Sequence, residues 1–185
     1  MTFTNYTYPV QMRRAYKFRA YPTCPQEGRA VRLLADHCDL YNAALEERRE
    51  AWRMRKAGIS YGMQSAQLKD IRKADPDGQG RHSFTAQQQT LRRLDTAFKA
   101  FYARCRAAGS GQKPGYPRFK PHQRFSQVMF VNRDGAKWEA ASCRWAYATF
   151  QAIGRQGQAA SQRSGSGESA PAQAGAPSLV CHRRH

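Results

Sequence analysis

Arginine and lysine side chains are concentrated between residues 92 and 133, a stretch with ten basic residues and one acidic residue, Asp95. Three aromatic residues, Tyr116, Phe119 and Phe125, are interleaved with them. Basic side chains neutralise phosphate groups, and aromatic rings offer faces on which nucleic-acid bases stack. The pattern therefore predicts a surface that binds nucleic acid.

A second basic cluster lies near the start of the chain, and the whole sequence has 31 basic and 13 acidic residues, a net charge of +18. Such an excess opposes compaction by self-repulsion, so a polyanionic partner is expected. Nucleic acid fits better than a membrane surface, because no helical pattern combines a large apolar face with a lysine-rich opposite face. The interface residues expected from the two clusters are Arg13, Arg14, Lys17, Arg19, Arg92, Lys99, Arg118, Phe119 and Lys120.

Each cluster also has a simpler interpretation. A run of charge can be an ordinary solvated surface, and Tyr116 or Phe119 can anchor a loop to the core instead of stacking on a base. Two clusters on one chain, together with the net charge of +18, favour the nucleic-acid interpretation.

Enzymatic and metal-dependent functions have little support in the side chains. The sequence has no Cys-x-x-Cys pair, which argues against a zinc site, and an odd number of cysteines, which argues against a disulfide framework. It also lacks a Ser-His-Asp pattern, clustered carboxylates and a phosphate-cradling glycine loop. We therefore expect no catalytic residue, no metal and no cofactor. Without a long apolar run or an apolar leader, the expected location is the cytoplasm.

The elements that would position the basic residues are mainly helical. Alternating apolar and basic residues predict a strand over residues 12–22. Thr23 and Gln26 then form a capping-box signature, and nothing interrupts the helical pattern before Gly58. Residues 23–57 are therefore either one long helix or two nearly collinear helices. The apolar stripe expected to face the core consists of Val31, Leu34, Cys38, Tyr41, Leu45 and Trp52.

Two further helices are predicted, one starting after Ser60 and one after Ser83, with a loop at residues 75–80 between them. The second of these ends before the glycine-containing stretch 109–111. If the first helical region is counted as two helices, the helical part has four. The apolar positions of the last two helices are Met63, Leu68, Ile71, Leu91, Leu94, Phe98, Phe101 or Tyr102, and Cys105.

The remaining pattern predicts a small β component. Residues 116–121 are extended, because a residue before a proline avoids the helical conformation. Residues 125–131 and 136–140 are predicted as strands on either side of a turn at 132–135. From residue 141 onward apolar residues are too few to offset chain entropy, which predicts a disordered tail.

Four blocks of this sequence, in order and spacing, resemble the amino-terminal part of the TnpB/OrfB transposon proteins. They are YKFRAYPT at 16–23, YNAALEER at 41–48, QQTLRRLDTAFKAF at 88–101 and GYPRFK at 115–120. The resemblance runs from about Met12 to Ala140. It indicates a member of a family described as transposases with a helix-turn-helix amino terminus, similar to the RNA-guided type V CRISPR nucleases.

The resemblance implies that the opening strand and the strands after Phe125 belong to a small wedge β-barrel, with the helices as a recognition lobe. Together they would bind a guide RNA made from the transposon end and recognise a short sequence motif in duplex DNA. By position, the motif-reading residues would be Tyr61, Ser65 and Gln88. Glutamine suits this role, since its amide can bond both N6 and N7 of adenine. Gln88 can also be an ordinary exposed polar residue, and Tyr61 can simply pack.

The expected organisation follows from the resemblance and the composition together. It is a loose leader at 1–11, a first wedge strand at 12–22, a helical recognition lobe at 23–108, a basic loop with wedge strands at 109–140 and a disordered tail at 141–185. The family cuts DNA with a later domain that needs an Asp, Glu, Asp trio for two divalent metals, whereas after Ala140 this chain has one acidic residue, Glu168. We therefore expect binding without nuclease activity, with a tail that is an out-of-frame reading or a chance fusion.

A self-contained helix-turn-helix DNA-binding regulator, built from residues 25–72, is the alternative function. The stretch around residues 56–59 is turn-like, as such a unit requires. No compact three-helix unit with a basic recognition helix stands out, which weighs against this alternative.

Overall fold

The computed structural model describes residues 20–107, 114–140, 145–153 and 160–161. The described part is mainly helical with a small sheet, as the sequence predicts. Short 3-10 turns lie at Gln79–Arg81 and His122–Arg124. The helices and strands are α1 (Cys24–Arg55), α2 (Tyr61–Ala74), α3 (Phe84–Ala107), β1 (Val131–Asn132), β2 (Gly135–Ala140), β3 (Trp145–Phe150) and β4 (Ala160–Ser161).

Helix α1 is continuous over 32 residues, so the count of four helices is wrong and the described part has three α-helices. At its start, the Thr23 backbone N–H donates to Gln26 Oε1 at 2.7 Å, as the capping signature predicts. At its end, Lys56 adopts a left-handed conformation with φ 54°, and the Ala57 N–H bonds the Ala51 carbonyl. No proline or glycine interrupts the interior after Gly28, and therefore nothing divides the helix.

Helices α2 and α3 begin where the sequence predicts. Ser60 Oγ accepts the Met63 N–H at 3.4 Å, and Ser83 Oγ accepts the Ala86 N–H at 3.2 Å. The loop between the helices is held by Asp75, whose carboxylate accepts the backbone N–H groups of Gly78 and Gln79. This loop turns the chain so that α3 packs against both α1 and α2.

The core lies between the three helices and extends to the sheet and the segment before it. Four of the six predicted stripe positions contact the core, since Cys38, Tyr41 and Leu45 are buried and Leu34 packs partly buried against them. The two ends of the stripe are wrong: Val31 is 43% exposed and Trp52 is 58% exposed. Helix α1 extends beyond its partners at both positions, so the same helical face is covered only in its middle. The other buried apolar residues of the helices are Leu33, Leu40, Ala44, Leu68, Ala86, Leu91, Leu94 and Phe98.

Two predicted core positions on α2 and α3, Met63 and Cys105, lie at the surface instead. Of the two residues offered for one position, Phe101 is half-buried and Tyr102 is 54% exposed. Met63 lies in the first turn of α2, and Tyr102 and Cys105 lie in the last turns of α3. Helix ends extend past the neighbours that cover their middles, which is why a periodic pattern overestimates burial there.

The sheet has the order β1-β2-β3-β4, and its main pairing is the antiparallel pair β2–β3. The predicted strand at 125–131 is wrong except at its end, where β1 pairs with β2 over two residues. Phe125, Val128 and Phe130 are nevertheless buried, because the extended segment packs these side chains against the core. The predicted strand at 136–140 is confirmed as part of β2.

The predicted disorder from residue 141 onward is wrong for β3 and the turn after it. Trp138 pairs with Ala148 and Ala136 pairs with Phe150 across the two strands. Ala148, Phe150 and Ile153 are buried against the core. Composition averaged over the whole tail concealed this short strand.

Several expectations lie outside the described residues. These are the leader at 1–11, most of the strand at 12–22, the stretch 109–111, and the tail after residue 161. Residues 20–22, the end of the expected first strand, are described and form no strand. Within the described ranges, no helix is long and apolar enough to span a membrane.

Candidate nucleic-acid interface

The residues expected to read a DNA motif come together across helices α2 and α3. Gln88 Nε2 donates to Ser65 Oγ at 3.0 Å, and Arg92 Nε donates to the Tyr61 hydroxyl at 3.1 Å. The Arg92 guanidinium also lies 5.4 Å from the centre of the Tyr61 ring. Both helices contribute residues four positions apart, so the two pairs stack one turn above the other. We call these four residues the α2–α3 polar group.

The backbone positions under this group are fixed by a buried polar network. Gln64, 2% exposed, donates to the Ala44 carbonyl and to Glu47, and accepts from Arg48 Nε at 2.8 Å. Arg48 then reaches Asp95 on α3 at 3.3 Å. A buried polar group is costly unless its partners are present, so this network holds the three helices in one register. The α2–α3 polar group is therefore presented on rigid helices.

The far end of α2 is tied to the start of α3 by Arg72. Its guanidinium donates to the carbonyls of Gly80 and His82 and to Gln87 Oε1 at 2.8 Å. Gln87 is fully buried, and its amide donates to the carbonyl of Gln79. Arg72 is thus used inside the protein and is not available to phosphate.

The extended stretch 114–121, which we call the basic segment, is attached to α1 by Asn42. The Asn42 amide donates to the Lys120 carbonyl at 2.9 Å and accepts the Lys120 N–H at 2.9 Å. Cys38 Sγ donates to the same carbonyl at 3.1 Å. The segment is extended as predicted, and its backbone hydrogen-bonding groups at Lys120 are satisfied by side chains of α1.

Tyr116 anchors the other end of the basic segment to α3. Its ring makes edge contacts with Phe98 at 5.6 Å and Phe101 at 5.2 Å between centroids. Arg104 donates to the neighbouring Gly115 carbonyl at 2.9 Å. Partial burial raises the pKa of the Tyr116 hydroxyl. The structure therefore favours the loop-anchor interpretation of Tyr116 over base stacking.

Arg118 and Phe119 lie on the outer side of the basic segment. Arg118 is exposed, and Phe119 is 44% exposed with the Arg49 guanidinium 5.8 Å from its ring centre. Lys120 is turned inward, with Nζ 5.2 Å from the ring centre of Tyr41. Burial and the nearby Arg93 lower the pKa of Lys120. Of the three expected contacts in this segment, Arg118 and Phe119 are the ones open to a ligand.

The charge of α3 is partly neutralised within the protein. Lys99 Nζ lies 3.0 Å from Asp95, the same carboxylate that pairs with Arg48, but Lys99 stays 78% exposed. Arg93 donates to the Gln127 carbonyl at 3.2 Å and lies over the Phe125 ring at 5.2 Å. Lys99 therefore remains accessible to phosphate, whereas Arg93 serves mainly to hold the stretch around Gln127.

The structure does not join all the expected interface residues into one site. Arg92 faces Tyr61, whereas the adjacent Arg93 faces Phe125, and among the described residues no hydrogen bond or ring contact links the α2–α3 polar group to the basic segment. Arg13, Arg14, Lys17 and Arg19 lie outside the described residues.

Two buried histidines lie at the contact of α1 with the start of α3, and neither belongs to the interface. His37 Nδ1 is 2.8 Å from Thr90 Oγ1, and His82 Nε2 is 2.8 Å from Asp36 Oδ2. Burial, with His82 nearby, lowers the pKa of His37 to about 3. Burial alone would raise the pKa of Asp36, but Arg81 and His82 hold it below its usual value. In the described ranges, no three His, Cys, Asp or Glu side chains are grouped as metal ligands.

Sequence reasoning missed two residues that shape this surface. Asn42 lies within a block that carries the family resemblance, but its attachment of Lys120 could not be read from a pattern. Arg49 contacts the Phe119 ring, and nothing in the sequence around Arg49 indicates a ring as its partner. Both contacts join residues about 70 or more positions apart in the chain, and only the fold brings them together.

Two comparisons with known proteins bear on the family of this chain. A family model described as a helix-turn-helix domain, that of the OrfB family, matches residues 12–57. A protein of Streptomyces pristinaespiralis with the provisional name RNA-guided DNA endonuclease is 32% identical over 129 residues, which cover 69% of this chain and 30% of that protein. The chain thus spans about a third of the length of this relative. Together the two matches identify the chain as a TnpB/OrfB-like protein with a transposase-family helix-turn-helix domain.

Proposed function

We propose that this chain is the nucleic-acid-binding part of a TnpB/OrfB-family transposase, with a guide RNA and duplex DNA as its partners. In this proposal α1, α2 and α3 act as a recognition lobe, and the sheet belongs to a wedge β-barrel together with the strand expected at residues 12–22. The RNA-guided DNA endonuclease to which the chain is similar supports the choice of partners. The net charge of +18 supports a polyanion in general.

The α2–α3 polar group is the observation that carries the proposal. Tyr61, Ser65 and Gln88 were selected by position in the sequence, and they lie in one group with Arg92. Their side chains are partly exposed, so amide, hydroxyl and guanidinium groups can exchange their mutual bonds for base edges. A duplex motif containing adenine fits the Gln88 amide, and Arg92 beside it fits either phosphate or guanine.

The backbone of the nucleic acid would be held by the basic residues around this group. Phosphate contacts position a protein on its target without reading sequence, which is the role expected of exposed lysines and arginines. The residues proposed for this role and for base stacking are Arg13, Arg14, Lys17, Arg19, Lys99, Arg118 and Phe119. Lys120, whose ammonium group is turned toward the Tyr41 ring, is not proposed as a direct contact.

The proposal assigns no DNA cleavage to these 185 residues. Cleavage by two divalent metals requires clustered carboxylates, and only Glu168 follows Glu139 in the sequence. The test is incubation of the purified chain with its RNA, target DNA and magnesium or manganese. Accumulation of cut DNA that chelation abolishes would contradict this part of the proposal.

The central experiment tests sequence reading by Gln88. The chain is expressed with the DNA that flanks its gene, any RNA that copurifies is retained, and bound duplexes are selected from a randomised pool. Gln88→Ala is expected to relax the preference at one adenine position, a loss of about 1–3 kcal/mol of discrimination. Gln89→Ala is the matched control, since this glutamine is adjacent on α3 but makes no contact with Ser65. Identical selected sequences for wild type and Gln88→Ala would contradict the assignment.

The self-contained helix-turn-helix regulator remains the alternative, and the turn between α1 and α2 at residues 56–60 favours it. Against it, Arg72, one of three basic residues on the proposed recognition helix α2, is bonded inside the protein. Footprinting separates the two functions. A regulator protects one palindromic site without RNA, whereas the proposed transposase part does not.

A further inference from the structure

One face of α1 carries both the attachment of the basic segment and an uncovered stretch beyond it. Cys38 and Asn42 bond the Lys120 backbone, and Arg49, one turn further from Leu45, lies over Phe119. Because residues three, four and seven apart share a helix face, the same face continues from Arg49 through Trp52 and Arg53 to Lys56. The basic segment covers this face only as far as Arg49.

The uncovered stretch combines an exposed ring with several cations. Trp52 is 58% exposed, and Lys56 Nζ lies 5.9 Å from its ring centre. Residues 49–56 contain four basic side chains and one acidic one, Glu50, which pairs with Arg53 at 3.5 Å. That exposed pair is weak, so it does not cancel the local positive charge.

The Trp52 ring lies near the end of α1, beyond the elements that pack on the middle of that helix. Exposing Trp52 forfeits the hydrophobic stabilisation that full burial would provide, and more than half of its surface stays open in the described part of the structure. The same arrangement, a cation beside a half-exposed ring, recurs at Arg49 and Phe119. Two ring–cation pairs on one face match the alternation of bases and phosphates along a nucleic-acid strand.

We propose that Trp52 and Phe119, with Lys56 and Arg49, form a platform on which a single-stranded stretch of nucleic acid stacks its bases. The inference rests on the proposed nucleic-acid function and names a further site for it, separate from the α2–α3 polar group. The partner is single-stranded because the bases of a duplex are already stacked, so a surface ring cannot reach their faces. The phosphates of that strand lie against Lys56, Arg49 and the neighbouring Arg118.

The test measures binding of the full chain to labelled oligothymidylate and oligouridylate, each about 16 nucleotides long, which form no secondary structure. Trp52→Ala is expected to weaken binding by about 5-fold to 100-fold, the value of one base stacked on an aromatic ring. Trp52→Phe is expected to retain most of the affinity. Lys56→Gln is expected to lower the slope of log affinity against log salt by about 0.7, the contribution of one phosphate on a single strand.

Met54→Ala is the matched control, because Met54 is on the same helix and 74% exposed but points away from the Trp52 face. The Met54→Ala variant is expected to bind both oligonucleotides with the affinity of the wild type. Stacking also quenches indole fluorescence, so the strand should quench the wild type more than Trp52→Phe. Comparison of oligothymidylate with oligouridylate shows whether the platform prefers DNA or RNA.

Three results would overturn the inference: unchanged affinity of Trp52→Ala for both oligonucleotides, an equal loss in Met54→Ala, or binding of wild type only to anionic lipid vesicles. Failure of the proposed function looks different. If the chain binds neither oligonucleotides nor duplex, both proposals fail. If selection through Gln88 succeeds while Trp52→Ala behaves as wild type, only the platform is wrong.

Discussion

Mild acid should destabilise this protein through His37. This side chain has no exposed surface, and its Nδ1 lies 2.8 Å from Thr90 Oγ1. The Thr90 hydroxyl donates to the Ala86 carbonyl, so it accepts from His37, which places the imidazole proton on Nδ1. The remaining nitrogen, Nε2, is buried without a hydrogen-bond partner. Protonation of Nε2 would therefore create a buried N–H group that has no acceptor, on a ring that carries a positive charge.

The groups around His37 decide how strongly protonation is opposed. The His82 ring lies 5.3 Å away, and a charge on either ring opposes a charge on the other. Asp36 acts in the opposite direction but is already bonded to Arg81 and His82. Burial dominates and lowers the pKa of His37 from 6.5 to about 3.

The magnitude follows from proton linkage. Between these two pKa values the unfolded chain binds a proton that the folded protein excludes, so stability falls as the pH drops below about 6.5. From about pH 7 to about pH 5 the single site is expected to cost about 2 kcal/mol of unfolding free energy. Burial also lowers the pKa of His82, which adds a loss of the same sign.

The assay is urea denaturation of the full chain at the two pH values. His37→Asn keeps a hydrogen-bond donor near Thr90 but fills the buried site less well, so the variant should be less stable than wild type at neutral pH. Because asparagine cannot be protonated, its unfolding free energy should fall by about 2 kcal/mol less than that of wild type on acidification. His122→Asn, at an exposed histidine that pairs with Asp39, is the matched substitution at the surface and leaves the buried His37 in place. If His37→Asn loses as much stability as wild type between the two pH values, the buried neutral histidine is not the cause and the reasoning is refuted.

Two further predictions concern the basic segment and its surroundings. Asn42→Ala removes both side-chain bonds to the Lys120 backbone and should cost about 1–3 kcal/mol, with faster hydrogen exchange at the Lys120 amide; unchanged exchange there would contradict the attachment. Arg118→Gln and Lys99→Gln should each weaken duplex binding for all sequences. Each should also lower the slope of log affinity against log salt by about 0.9, measured between about 50 and 200 mM salt. An unchanged slope in both variants would show that these residues contact no phosphate.

Local rules in the sequence were enough to predict the helices and their starts. Thr23, Ser60 and Ser83 precede α1, α2 and α3, and the loop at residues 75–80 was expected from its one proline and two glycines. A helix cap is a hydrogen bond between residues about three positions apart, so the sequence alone is enough to predict it. The charge pattern and the four family-like blocks were equally local, and they led to the family that the comparisons support.

The extent of burial required the tertiary structure. Helical period places Val31, Cys38 and Trp52 on related faces, yet only Cys38 is buried. Period describes which residues share a face, but the partner that covers the face comes from distant parts of the chain. The strand β3 was missed for a related reason, since its pairing with β2 stabilises a short apolar run that composition alone treats as negligible.

The candidate interface shows the same division. The sequence alone establishes the residue types: a strongly basic chain with aromatic residues among the cations, in which Tyr61, Ser65 and Gln88 are the residues that the family resemblance implies for motif reading. The tertiary structure decided that Gln88 meets Ser65, that Tyr116 anchors a loop, and that Trp52 faces solvent. Charge and hydrogen-bonding capacity belong to each residue, whereas exposure and partners depend on how helices from different parts of the chain pack together.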